Sequence, residues 1–250
     1  MADEPAPAPK ALRVCIDVNV WVAYLMAIQN GRTGTSAQAV IAVTREMKVG
    51  DQPVQLIVSL EMADTLERVL TRVGFSAARS HNFASSVIDL MKAGPEQLDP
   101  HLLISGRDQL GMHDREDAGV LATAIAAKAD LIVTDNLRDF QTNDSETIET
   151  RTVRAGKVQR RLFSVIIERA DGVCVVVAHP IDVVDWLRSG KEISAAMVRG
   201  QYRKSATRRD RGARPIGGPC RWPDVRLKAR ATGPAISRGR LVVSRSRGSR

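Results

Sequence analysis

The sequence predicts an α/β fold, a central parallel sheet flanked by helices, followed by a disordered basic C-terminal tail. Three observations predict it. Short β-branched runs alternate with stretches of helical period between Leu12 and Leu187, the pattern that builds parallel sheets covered on both faces. Acids recur just past the ends of those runs, at Asp17, Asp135 and Asp139, where open α/β sheets bind ligands. After Gly200 the composition turns abruptly to Arg, Gly, Ser and Pro with no apolar period, leaving too little to bury against the entropy of ordering.

The chain has 250 residues, 44% hydrophobic and 26% charged, enough for one sizeable core with appendages. Residues 1–10, MADEPAPAPK, read as a disordered lead without the apolar run of a secretory signal. A core domain is expected over 11–190. Leu12–Val18 alternates apolar residues as its first strand and delivers Asp17 near its C-terminal end. Helices are expected over Asn19–Ile28 and over Thr35–Met47, the latter behind Thr35 and Ser36 as caps. Val54–Val58 reads as a buried strand. Ser59 is expected to cap a helix over Leu60–Val73, with Glu61 and Asp64 in its first turns, where the helix dipole favours anions. Ser76–Lys92 reads as a further helix, stopped by Gly94 and Pro95. A loop, HDRED, leads to Asp117 and a helix over Ala118–Lys128, then to the strand Ala129–Thr134. Residues 141–163 are polar and irregular, an extended loop or a short hairpin. Gly172–Val177 closes the sheet and Pro180–Leu187 is the last helix. Residues 191–202 read as a connector, and 203–250 as the Arg-rich tail.

The net charge of +9 hides an asymmetry: residues 203–250 hold 15 of the 37 bases and two of the 28 acids, so the tail carries about +13 and the body about −4. The tail is compatible with a nucleic-acid arm, with a solvated segment of no role, or with non-native coding sequence. Cys15, Cys174 and Cys220 are odd in number and without a CxxC pair, which disfavours disulfides and zinc. Cys15 and Cys174 are expected as small strand hydrophobes in a reducing cytoplasm. No apolar run is long enough for a membrane span. His81, His101, His113 and His179 lack metal spacing and read as surface or capping residues. Trp21 reads as core or pocket wall, and Trp186 as packing for the last helix. The glycine pairs Gly31/Gly34 and Gly217/Gly218 match no nucleotide cradle.

The acids carry the chemistry. Asp17 ends the first strand, Asp117 opens a helix, and Asp135, Asn136 and Asp139 follow LIVT. Singly, each is an ordinary turn former or cap. Together they would bring carboxylates to one rim, and like charges at close range need a cation to stay ionised. Oxygen donors without His or Cys select hard ions, Mg²⁺ or Mn²⁺, which polarise phosphoryl oxygens and acidify an attacking water.

CIDVNVWVAYL resembles the opening strand and helix of PIN domains, the nuclease fold of VapC-like toxins. EDAGVLATAIAAKADLIVTDNLRDF resembles that family's second signature, an acid opening an Ala-rich helix that leads to a hydrophobic strand and then Asn or Asp. The resemblance covers roughly residues 11–190 and includes VSLEMADTLERVL and VVVAHPIDVVDWL. It implies a PIN-like three-layer sandwich and an endoribonuclease using Mg²⁺ or Mn²⁺. Asp17 and Asp117 match the metal-binding acids. Asn19 matches the polar residue of the opening, and Thr134, Asn136 and Asp139 match the stretch after the last strand. RNA is the implied substrate, with an antitoxin protein and a homodimer as candidate partners.

The pattern departs at two positions. The family's Glu would fall at Thr65, so Glu61 or Asp64 would have to substitute, while Glu67 lies on another face. Asn136 stands where many members have Asp, leaving Asp139 or Asp135 to complete the site. The leading function is thus a metal-dependent endoribonuclease held in check by an antitoxin, with Asp17, Asp117, Asp139, Asp64 and Glu61 as candidate catalytic acids. The alternative is a weakly catalytic or non-catalytic module that binds nucleic acid through its basic tail. A phosphatase using Asp17 as nucleophile is disfavoured, because Asn19 stands where that chemistry needs a second acid.

Overall fold

In the computed structural model the described residues are 10–101, 112, 114–142, 145–155 and 158–209. The candidate His113 and most of the basic tail lie outside them. The first strand, β1 (Leu12–Ile16), follows its apolar alternation and ends one residue before Asp17. Asp17 is the N-terminal cap of α1 (Val18–Gln29). A capping box then opens α2 (Ser36–Glu46): Thr35 Oγ1 accepts from the Gln38 amide, and Gln38 Oε1 accepts from the Thr35 amide, satisfying two end donors reciprocally. The two-residue β2 (Lys48–Val49), which the sequence did not foreshadow, turns through Gly50 at φ 54° into β3 (Gln52–Ile57). Ser59 caps α3 (Leu60–Arg72) by accepting from the Met62 amide at 3.2 Å. Next comes α4 (Ala77–Lys92). It stops at Gly94, whose missing Cβ leaves room for the buried Gln55 side chain.

Helix α5 runs over Arg115–Ala126, three residues earlier than expected, because Asp114 takes the cap by accepting from the Glu116 amide at 2.7 Å. Asp117 therefore sits inside the first turn rather than ahead of the helix. The sheet continues through β4 (Leu131–Val133), β5 (Ser145–Ala155), β6 (Val158–Glu168) and β7 (Cys174–Ala178). Two helices follow, α6 (Pro180–Arg188) and α7 (Ala195–Arg209).

The seven strands form one sheet in the order β2-β3-β1-β4-β7-β6-β5. The expected parallel core is there: β3, β1, β4 and β7 are parallel neighbours. Successive residues of β4 and of β7 from Val175 onward are all buried, so both faces of the sheet are covered. The edges are antiparallel, with β2 on β3 and the pair β6–β5 beyond β7.

The segment 141–163, expected as a loop or short hairpin, belongs to a hairpin of two 11-residue strands built into the main sheet. Its polar look has a physical cause. Thr147, Glu149, Thr152 and Arg154 are exposed on an edge strand, while Ile148 is the one buried residue of β5 among those whose side chains are described, so the hydrophobic alternation is weak. Helix α7 (Ala195–Arg209) likewise takes in residues 195–202 of the expected connector and the first residues of the basic segment. Trp186 Nε1 donates to Tyr202 Oη at 2.9 Å, and Arg199 donates to Glu146 and Glu168, each at 2.7 Å, tying α7 to α6 and the hairpin.

Cys15 is buried as expected. Cys174 is exposed, contrary to expectation, because it is the first residue of β7 and burial begins at Val175. Among the described residues no helix is long and apolar enough to cross a membrane.

Candidate active site

The parallel strands end on a common rim. The Asp17 amide donates to the Val133 carbonyl at 3.0 Å, and the Thr134 amide to the Ala178 carbonyl at 3.1 Å. Asp17 and Thr134 therefore emerge side by side, one residue past β1 and β4. Thr134 is the hub. Its hydroxyl donates to Asp17 Oδ2 at 2.6 Å and accepts from the Asn136 amide at 2.9 Å and from Asn19 Nδ2 at 3.1 Å. Asn19 Nδ2 also reaches Asp17 Oδ2 at 2.7 Å, and Asn19 Oδ1 accepts from the Asp135 amide at 3.4 Å. Of the three polar residues singled out in the sequence, Asn19 and Thr134 thus meet at the Asp17 carboxylate, while Asn136 joins through the Thr134 hydroxyl.

Burial pushes Asp17 up to about 6, against the opposing pull of the Thr134 hydroxyl and the Val18 and Asn19 amides. Asp117, also buried, is pushed further, to about 8, by burial first and then by the charges of Asp17, Asp114 and Asp139. Asp139 is near enough to favour the protonated Asp117 carboxyl, by its charge and as a hydrogen-bond partner. Asn136 Nδ2 donates to Asp139 Oδ2. Asp17, Asp117 and Asp139, from three chain segments, are thus near enough to act on one another electrostatically, and Asp117 is the one driven toward its neutral form.

The acids near Thr65 divide by burial. Asp64 is exposed, whereas Glu61 and Thr65, one helical turn apart, are both half-buried. Thr65 Oγ1 accepts from Arg68 Nη2 at 3.0 Å, and the same nitrogen donates to Glu116 Oε1 at 3.1 Å. The Thr65 position therefore faces the first turn of α5, the turn that carries Asp117.

Sequence reasoning missed a pair on the same rim. His179 caps α6, its Nδ1 accepting from the Ile181 amide at 3.2 Å. That leaves Nε2 to carry the proton and meet Asp135 Oδ1, also at 3.2 Å. Capping was the expected role, but the contact with Asp135 depends on β4 and β7 being neighbours. Pro180 at the first helical position, directly after a strand, was the available signal for the cap. Beside it Asp182, fully buried, accepts from Thr150 Oγ1 at 2.6 Å and pairs with Arg151. A groove of about 280 Å³ lined by Met26, Asn30, Arg32 and Thr35 opens next to Asp135. Trp21 is both core and wall: it donates to the Ile16 carbonyl at 3.2 Å and lines a second groove with Tyr24 and Phe83.

The family model for the PIN domain matches residues 13–138. This chain belongs to the PIN-domain family. PIN domains are nucleases, so the family sets the class of activity as hydrolysis of nucleic-acid phosphodiesters. Comparison with curated proteins and with solved structures gave no match. The matched span of this PIN domain runs from β1 to the turn after β4, and so takes in the rim at Asp17, Asp117 and Thr134. The hairpin, β7, α6 and α7 lie beyond it.

Among the described residues no three acids, cysteines or histidines form a ready-made metal cage. The donor set nonetheless fits one class of ion. Mg²⁺ is ordinarily held by one or two carboxylates, with water and substrate phosphate completing its shell. Asp17 and Asp117 are two buried carboxylates whose mutual repulsion a divalent cation would relieve.

Proposed function

We propose that this PIN domain is a metal-dependent endoribonuclease of the toxin type, checked by an antitoxin. The observation that carries the reading is the Asp117 carboxyl, forced toward its protonated form by burial and by Asp17, Asp114 and Asp139. Groups so perturbed at the mouth of a parallel sheet are characteristic of functional sites. Asp17 and Asp117 would hold Mg²⁺ or Mn²⁺, with Asp139 completing the acidic rim. A divalent cation there polarises a phosphoryl oxygen and acidifies water. Thr134 and Asn19 hold Asp17 Oδ2 in one orientation, so the carboxylate need not reorganise when substrate arrives. The test is digestion of single-stranded RNA by the purified chain with Mn²⁺ and with chelator. Cleavage that survives chelation would refute metal dependence, and no cleavage with Mn²⁺ would refute the nuclease reading.

A second reading, a weakly catalytic nucleic-acid binder, is favoured by a specific observation. Thr65 and Asn136 stand at the two departures from the family pattern, and both are already engaged, with Arg68 and with Asp139. Glu61 shares the half-buried face of Thr65 and is the acid we assign to that side of the site. Glu61→Gln should therefore lower kcat about 10-fold or more, while Asp64→Asn should leave it within about twofold, with 1.4 kcal/mol marking each tenfold step. Equal rates for both variants at saturating Mn²⁺ would show that the site works without either.

The basic segment supplies weakly selective RNA affinity in this reading. Because α7 continues to Arg209, truncation belongs after Arg211, where the compact body of the chain also ends. Removing the ten bases and one acid beyond that point should flatten the dependence of log K on log salt, by about 0.7 for each phosphate that is no longer neutralised. Identical salt slopes for the two chains would exclude the tail from binding.

A further inference from the structure

The β5–β6 hairpin extends beyond the sheet it belongs to. Strand β6 pairs with β7 only from Val165↔Val177 to Glu168↔Cys174. Strand β7 runs toward the carboxylate rim and ends there at Ala178, so the antiparallel residues 158–164 of β6 continue past that rim. Their partners on β5 are Ile148 and Glu149 and then Arg151 to Ala155, with a register shift between Glu149 and Arg151. Seven strand residues at about 3.3 Å each make a projection of roughly 20 Å. The irregularity at its base is a device that bends and re-aims a hairpin.

The charge on this projection is predominantly positive, with Glu149 its one acid, 3.7 Å from Arg161. From Thr150 to Arg161 the sequence holds Arg151, Arg154, Lys157, Arg160 and Arg161 and no acid. The rest of residues 1–202 then carries about −9, so the hairpin is a cationic island on an acidic body. The pairing distributes its arginines over both faces. Arg160 lies opposite Val153, Arg161 opposite Thr152, and Arg154 opposite Gln159, and all three arginines are exposed. Arg151 is held most tightly, paired with both Asp182 and Asp185 of α6, whereas Arg161 makes a longer contact with Glu149. Arg160 is close enough to disfavour charge on His179, whose Nε2 meets Asp135 on the rim. Blocking of exposed edges accounts for charges along β5 and for those on β6 beyond the end of β7, where β6 no longer pairs with β7. It does not account for their sign, since acids would block an edge as well as arginines do.

We propose that the β5–β6 hairpin is a phosphate-binding arm, in which Arg154, Arg160 and Arg161 hold the backbone of a single-stranded RNA that crosses the Asp17 rim. The ligand class rests on the endoribonuclease reading above. The reason for such an arm is electrostatic. A carboxylate rim repels the polyanion it must cut, and fixed cations next to the rim offset that repulsion without occupying the site. The hairpin lies outside the span matched by the family model.

The test uses the full chain and its Arg154→Gln/Arg160→Gln/Arg161→Gln variant, with a fluorescent 20-nucleotide single-stranded RNA in chelator, across a tenfold salt range. With three fewer phosphates neutralised, the salt slope should flatten by about 2, shrinking the intact chain's affinity advantage about 100-fold across that range. The corresponding triple Lys variant should keep the slope, because phosphate neutralisation needs only a charge. An unchanged slope in the Gln variant overturns the arm and leaves an acidic protein segment as the island's ligand. A Lys variant as weak as the Gln variant also overturns it, since the arginines would then be acting through the fold. Hydrolysis of bis-p-nitrophenyl phosphate with Mn²⁺ separates the two readings. The Gln variant should match the intact chain on this small ester. No hydrolysis by either chain, with the slope change intact, would sink the nuclease reading and keep the arm.

Discussion

Asp17→Asn should lower Mn²⁺-dependent RNA cleavage by about 10²–10³-fold, the usual loss when one preorganised electrostatic group is removed from an active site. The substitution changes little else. The side chain keeps its size, and an Asn Oδ1 can still accept from the Thr134 hydroxyl and the Asn19 amide, the two donors at 2.6 and 2.7 Å in the native site. Folding should survive, so the loss should appear in kcat with KM for RNA little changed. Raising Mn²⁺ should not restore the rate if Asp17 supplies a ligand charge. Cleavage by Asp17→Asn at the native rate would place the chemistry elsewhere in the preparation or the chain. A matched melting curve for the two proteins in chelator guards against simple misfolding.

Asp117→Asn should raise the melting temperature of the metal-free protein, and increasingly so from pH 4 to pH 8. The sign follows from the proton count. Asp117 ionises near 3.8 when unfolded and at about 8 when folded, so between those values the folded state binds the extra proton. Stability therefore falls as pH rises through that window. Asp17, at about 6 when folded, adds a slope of the same sign between pH 4 and 6. Asn cannot ionise, and its amide can donate to Asp139 as the protonated carboxyl does. Each tenfold bias toward the protonated form is about 1.4 kcal/mol. For a domain of this size one such step is roughly 3–5 °C. Mn²⁺ should do for the native protein what the substitution does for the variant. A hundredfold excess over Kd contributes about 2.7 kcal/mol, and Asp117→Asn should lose most of that response. A variant that melts no higher than the native protein at pH 8 in chelator would show that Asp117 is not under like-charge strain.

The acids of the site were legible one at a time. Asp17 and Thr134 follow apolar strands, and Asn19 follows Asp17 by two, a local spacing that a short motif preserves. What the motif could not convey is that Thr134 binds both, 117 residues away from Asp17 in the chain. That contact exists only because β1 and β4 are parallel neighbours in register Ile16↔Val133. Asp114 looks like part of a loop, although an acid two residues before another acid at a helix start is the local sign of a cap. His179 is the cap its position suggests, but its contact with Asp135 needs β4 and β7 side by side.

By itself the sequence determined the alternation of strand and helix, the caps at Thr35 and Ser59, and the family of the chain between residues 13 and 138. Those properties are carried by neighbours within one or two turns, so local periodicity and short-range hydrogen bonding suffice to state them. Only the tertiary structure decided the strand order, the meeting of Asp117 with Asp17 and Asp139, and the place of the β5–β6 hairpin. The outer strand of the hairpin, β5, is largely exposed, and the tip half of β6 is polar, so hydrophobic alternation barely marks them, although Leu162 and Ser164–Ile167 of β6 are buried. Their stability and direction come from pairing with β7 and from Arg151 and Arg199 reaching acids more than 30 residues away. Contacts at that separation leave no period in the sequence, and this is why the polar stretch 141–163 reads as a loop or short hairpin and instead belongs to two full strands of the sheet.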